Sequence, residues 1–212
     1  MNFQEFLTKS QRSDVAENDV THFFSRNFSA SFAYLFYKLN ATPNQVTFFF
    51  LLVGICTSLA FNQSMPIFAY ICWRLHIIMD MADGSLARAT QTFSKSAVGF
   101  DRTNHIIINT FLLIVTNQHV ENHLIVGILI ISFYLYYFFS RNYISGKQST
   151  RKFTIVEVLI KNALGLEGYV LTAGIIVFVE IPELQRYVAL FYSLSFLTLY
   201  FLKLRIFIKS QV

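Results

Sequence analysis

Asp80-Met81-Ala82-Asp83-Gly84-Ser85-Leu86-Ala87-Arg88, followed by Asp101 and His105, decides how this chain reads. The stretch closes an apolar run from Pro66 to Met79, so it puts carboxylates where a membrane helix meets water. On a helix Asp80, Asp83 and Ala87 (i, i+3, i+7) share one face, with Gly84 and Arg88 one step round it. Two aspartates one turn apart repel each other unless a cation sits between them. Oxygen ligands of this kind suit Mg²⁺, Mn²⁺ or Ca²⁺ better than Zn²⁺. Gly84 and Ala87 remove side-chain bulk, so a flat or bulky ligand can approach the backbone. Asp101 and His105, four apart, form a second facing pair on the next helix.

Composition sets the class. The chain has 212 residues, is 54% hydrophobic with 24 Phe and 11 Tyr, and only 14% of it is charged. That is the composition of an all-α integral membrane protein. Cys56 and Cys72 both fall in apolar runs, which fits packing rather than a disulfide or a metal site. The net charge of +5 could point to nucleic acid. In a multi-span protein the excess of Lys and Arg on cytoplasmic loops explains it better. The polar, mixed-charge opening from Met1 to Asp19 does not read as a cleavable signal peptide.

Six spans are expected, at about 45–62, 66–88, 98–117, 123–140, 165–181 and 187–204, most near the ~20 residues a bilayer requires. Residues 1–43 form an N-terminal cytoplasmic or interfacial segment, and 44–212 the membrane domain. In the first segment Phe24, Phe28, Phe32, Phe36 and Leu39 fall near helical spacing, opposite Ser25, Arg26, Ser29 and Lys38. This helix either lies in the membrane interface or packs on the bundle. Pro43 and Asn44 break it and cap the next helix. With the N-terminus inside, fifteen of the seventeen Lys and Arg fall on inner segments and one, Arg186, on the outer turns. That asymmetry places both termini and the Asp80–His105 stretch on the cytoplasmic side.

The motif resembles the signature of the CDP-alcohol phosphotransferase family, Asp-x2-Asp-Gly-x2-Ala-Arg-x8-Gly-x3-Asp-x3-Asp. Asp80, Asp83, Gly84, Ala87, Arg88 and Asp101 match in register; Ala97 replaces the second Gly and His105 the fourth Asp. Pro43-Asn44-x-x-Thr47 resembles the family's lead-in to the first span. The resemblance implies transfer of a phospho-alcohol from a CDP-linked donor to a hydroxyl acceptor, with release of CMP and use of Mg²⁺ or Mn²⁺. It implies metal ligands at Asp80, Asp83 and Asp101, and nucleotide contacts from Gly84, Ala87 and Arg88. Asn44 and Thr47 line the nucleotide site by the same resemblance, or simply open the helix. It also implies a homodimer. CDP-diacylglycerol with a small polar acceptor is the common pattern in short members; a CDP-linked head group given to a lipid hydroxyl is the reverse. A bacterial inner membrane is the expected location.

His105 stands where the family has its general base, beside the metal. Imidazole, with a reference pKa of about 6.5, can take a proton there. The change also removes a negative charge and adds a nitrogen ligand, which favours Mn²⁺ over Mg²⁺. Either His105 is an alternative base, or the protein binds CDP compounds with little or no turnover. A transporter would show paired repeats or broken helices in both halves, and neither is evident.

Arg74 lies within an expected span and calls for a partner that the sequence does not name. His76 faces the protein interior or the site. The inner segment Arg141 to Lys161 carries five basic residues and either holds an anionic group or only sets topology. His119 and His123, four apart, lack a third zinc ligand.

Overall fold

A computed structural model describes residues 1–10, 20–93, 95–143, 155–179 and 181–209. Among these residues the chain is helical, with no strand. It divides into two compact units, Met1–Leu112 and Leu113–Val212.

The first unit holds α1 (Phe3–Ser10), α2 (Val20–Lys38), α3 (Pro43–Asn62), α4 (Pro66–Thr90) and most of α5 (Lys95–Val115). Thr42 caps α3. Its hydroxyl accepts from the Gln45 N–H at 3.3 Å, and the Gln45 side chain accepts from the Thr42 N–H at 2.8 Å. Thr42-Pro43-Asn44-Gln45 is thus a capping box with proline at the first helical position. The cap is Thr42 rather than Asn44, which sits exposed in the first turn. Three helices end on a non-glycine residue in the left-handed region: Asn40 after α2, Ser64 after α3 and Gln91 after α4. In each case the next N–H closes back five residues, Ala41 to Phe36, Met65 to Ala60 and Thr92 to Ala87, satisfying carbonyls that the helix leaves open.

Contacts between α3 and its neighbours set the directions. Thr47 meets Asp83 and Phe50 meets His76, so α3 and α4 run antiparallel. Thr47 meets Asn104, Phe50 meets His105 and Gly54 meets Ile108, so α3 and α5 run parallel. A Cβ on Gly54 would stand 2.5 to 2.8 Å from three atoms of Ile108, so the close approach of α3 and α5 depends on that glycine.

α2 packs on α4. Among its described side chains the buried ones are small: Ser25, Ser29, Ala30 and Ala33. Phe28 and Leu39, on the face read as apolar, are 57% and 67% exposed. Small residues permit close helix contact, while Phe32, Tyr34, Phe36 and Tyr37 are half-buried and pack against the cluster around Phe6. The side chains of Phe24 and Arg26 lie outside the described residues. Arg74 finds its partner here: Nη2 donates to Ser25 Oγ at 2.8 Å.

The second unit holds α6 (His123–Tyr143), α7 (Ile155–Leu164), α8 (Leu166–Val179) and α9 (Pro182–Lys209). Phe133 meets Phe196 and Ser140 meets Lys203, so α6 and α9 run parallel and the chain returns between them. The return begins earlier than 165, because residues 155–164 are helix rather than loop. Gly165 separates α7 from α8, and a side chain on Gly168 would run into the Ala163 carbonyl. Residues 144–154 of the basic inner segment lie outside the described residues. The Thr116 hydroxyl and Asn117 Nδ2 both meet the hydroxyl of the fully buried Tyr169.

Among the described residues three helices are long and apolar enough to cross a membrane, over Pro43–Asn62, His123–Ser140 and Glu183–Arg205, and Leu166–Val177 is a shorter apolar helix.

Candidate active site

The antiparallel and parallel pairings bring three helix segments together: the start of α3, the C-terminal half of α4 and the N-terminal half of α5. Every signature residue lies on α4 or α5. His105 Nε2 stands 3.0 Å from Asp80 Oδ1 and 3.3 Å from Asp101 Oδ1. Asp80, Asp101 and His105 each offer one ligand atom, all within 4.8 Å of one another. Their side chains are 27%, 27% and 13% exposed, so the group is sheltered yet reachable.

The donor set fits a divalent ion. Two carboxylate oxygens and an imidazole nitrogen suit Mn²⁺ or Mg²⁺, and octahedral bonds of about 2.1 Å give edges of about 3 Å, close to the two distances seen. Three protein ligands leave positions for substrate oxygens or water. The same geometry constrains His105. Facing carboxylate oxygens, Nε2 either carries a proton and donates it to Asp80, or turns its lone pair to an ion between the groups. One lone pair cannot serve an ion and an incoming proton at once.

Asp83 is not in that group. It lies one turn further along α4, and its Oδ2 accepts the Thr47 hydroxyl at 2.6 Å. That hydroxyl also faces the Pro43 carbonyl at 2.9 Å, so one hydrogen lies between two acceptors. Asn104 Nδ2 donates to the Thr47 carbonyl at 3.2 Å, tying α5 to the same turn of α3. Thr47 is therefore at the site as the orienting partner of a signature carboxylate, and Asn44 is exposed nearby.

His76 belongs to the layer behind. It is 2% exposed, and its Nδ1 faces the Phe50 carbonyl at 3.1 Å; a carbonyl only accepts, so Nδ1 carries the hydrogen. Its ring lies 6.0 Å from that of His105 and 5.2 Å from that of Trp73. Phe50 packs on both imidazoles.

Gly84 and Arg88 meet each other. A Cβ on Gly84 would stand 3.3 Å from Arg88 Nη1, so the guanidinium lies across the glycine. Arg88 Nε donates to the Ser10 carbonyl at 2.7 Å and Nη2 to Ser85 Oγ at 3.2 Å. Ala87 is buried beside them, and Ala97 sits in the first turn of α5.

The profile of the CDP-alcohol phosphatidyltransferase family matches residues 40–182, which include α3, α4 and α5 and with them the whole carboxylate site. The chain belongs to that family. Membership in the CDP-alcohol phosphatidyltransferase family implies transfer of a phospho-alcohol from a CDP-alcohol, and the apolar helices agree with an integral membrane protein. Comparison with curated proteins finds no match.

Ser10, Asn104 and Thr42 escaped the sequence reading. Thr42 had a signal in its spacing to Gln45. Ser10 and Asn104 act through partners 78 and 57 residues away, and no local pattern announces such a pair.

Proposed function

We propose that this member of the family is a divalent-metal-dependent transferase that moves a phospho-alcohol from a CDP-linked donor to a hydroxyl acceptor and releases CMP. The acceptor oxygen attacks the phosphorus of the transferred group. The bond from that phosphorus to the bridging oxygen breaks, and CMP leaves with the bond's electrons. The hydroxyl proton passes to a base of the site. The observation that carries this reading is the convergence of Asp80, Asp101 and His105 on one point.

A bound Mg²⁺ or Mn²⁺ would neutralise charge on the diphosphate and on the departing CMP oxygen. Asp80, Asp101 and His105 are the residues to hold it, with Asp83 oriented beside them by Thr47. Gly84 and Ala87 keep the α4 surface low for the nucleotide, and Arg88 supplies a fixed cation for the diphosphate. The geometry supports His105 best as a ligand, because Nε2 is turned to the carboxylates. The proton then goes to the second oxygen of Asp101. His105 as base is the alternative assignment, and substitution separates the two. His105→Ala should weaken Mn²⁺ binding and regain CMP release at high Mn²⁺ if His105 is a ligand, whereas loss of a base would leave release about 10²- to 10⁴-fold down at any metal concentration.

In this reading residues 1–43 lie at the cytoplasmic membrane surface and 44–212 cross the membrane six times. The site opens to the cytosol, and two copies pair as a dimer in a bacterial inner membrane. The donor is CDP-diacylglycerol with a small polar alcohol as acceptor, or a CDP-linked head group with a lipid hydroxyl as acceptor. The Lys and Arg asymmetry and the parallel run of α6 and α9 support this topology.

The test is CMP release by the purified protein in lipid, with Mg²⁺ or Mn²⁺, using CDP-diacylglycerol and CDP-alcohol donors against pooled acceptors. Metal-dependent release that Asp80→Asn abolishes is expected. No release with any donor, together with metal-dependent CDP binding, would instead identify a binding protein.

A further inference from the structure

We propose that α1 is a positioning element for Arg88, which makes the first ten residues part of the site. This rests on the transferase reading above.

Arg88 is held from three directions. Its Nε donates to the Ser10 carbonyl at 2.7 Å, Nη2 donates to Ser85 Oγ at 3.2 Å, and Nη1 lies over Gly84. Ser10 is the last residue of α1, where helix carbonyls lack intrahelical partners and carry partial negative charge. A guanidinium N–H is a matched donor for that end.

α1 is itself firmly seated. Phe6 is fully buried in a cluster with Ala33 of α2, Val46 of α3, and Ala82, Leu86 and Ala89 of α4. Its ring lies 5.5 Å from those of Tyr34 and Tyr37, and the N-terminal amine donates to the Tyr37 hydroxyl at 3.4 Å. Ala82, Leu86 and Ala89 interleave with Asp83, Gly84 and Arg88 on the same two turns of α4. The docking of Phe6 therefore fixes the distance between the Ser10 carbonyl and the signature helix. An arginine ordered in advance spares a ligand the cost of ordering it, so α1 acts on donor affinity through Arg88. Gly84 leaves room for the guanidinium, since a methyl group there would crowd Nη1 at 3.3 Å.

The test is a double-mutant cycle of Phe6→Ala with Arg88→Lys, read as kcat and KM for CMP release in lipid. Lys9→Ala, which breaks only the exposed pair with Glu5, is the control. Phe6→Ala should raise KM for the CDP-linked donor about tenfold, the size of one hydrogen bond to a charged group, and lower kcat little. The double variant should fall no further than Arg88→Lys alone. Ser85→Ala, which removes the acceptor of Nη2 without touching α1, should raise KM in the same way. Losses from Phe6→Ala and Arg88→Lys that multiply would overturn the proposal, as would a faster Phe6→Ala enzyme, the mark of a helix that masks Arg88. If the wild type releases no CMP, the transferase reading fails on its own. The same cycle in thermal unfolding then decides: coupled losses keep the α1–Arg88 contact, and additive losses refute it.

Discussion

The hydroxyl of Thr47 donates to Asp83 Oδ2 at 2.6 Å across 36 residues of sequence. This bond joins the first turns of α3 to the signature helix and gives a signature carboxylate a fixed direction. It works beside the Asn104 to Thr47 bond, which uses the backbone and so survives any change of the Thr47 side chain.

Thr47→Val should therefore leave the fold in place and loosen Asp83. A hydrogen bond to a charged group contributes about 1.5–3 kcal/mol, so CMP release should drop about tenfold or more. The unfolding temperature in detergent should move only slightly. An unchanged rate would remove Thr47 from the site.

Gly54 and Ile108 predict a compensating pair. Gly54→Ala drives a methyl into Ile108, where the nearest atom would be at 2.5 Å. Overpacking of this kind costs about 1–3 kcal/mol, and here it separates α3 from α5, which carries Asp101 and His105. Thermal unfolding should show the loss, and Ile108→Ala should restore much of it in the double variant. Two losses that simply add would mean that the glycine is not what lets the helices meet.

In the second unit, Tyr169→Phe removes the hydroxyl that meets Thr116 and Asn117. Asn117 Nδ2 keeps its bond to the Leu113 carbonyl at 2.7 Å, so the loss is partial. Interhelical hydrogen bonds of membrane proteins average about 0.6 kcal/mol, and a small drop in unfolding temperature is expected. CMP release per folded molecule should not change.

The sequence made some of this legible and hid the rest for physical reasons. The apolar runs bounded by Pro43, Pro66 and His123 mark α3, α4 and α6, because an apolar run ended by a helix-starting residue has few other solutions. The spacing from Asp80 to His105 announced the site through residue chemistry alone. α7 escaped because Arg151, Lys152 and Lys161 surround its apolar core and gave the whole stretch a loop-like character. α1 escaped because eight residues carry little signal, although Phe3, Phe6 and Leu7 do fall on one face. The packing face of α2 was hidden because Ser25 and Ser29 look solvent-facing in sequence, whereas both are buried and Ser25 meets Arg74. The division of labour between Asp80 and Asp83 was also hidden: one turn apart on α4, they meet different partners from α5 and α3.

The most direct measurement is pulsed electron paramagnetic resonance of Mn²⁺ bound to the purified protein in lipid. The Asp80–Asp101–His105 group predicts nitrogen hyperfine coupling from one imidazole, lost in His105→Asp while the ion stays bound, and loss of the bound ion in Asp80→Asn. Bound Mn²⁺ without nitrogen coupling, or coupling that survives His105→Asp, would contradict the assignment of this group as the metal centre.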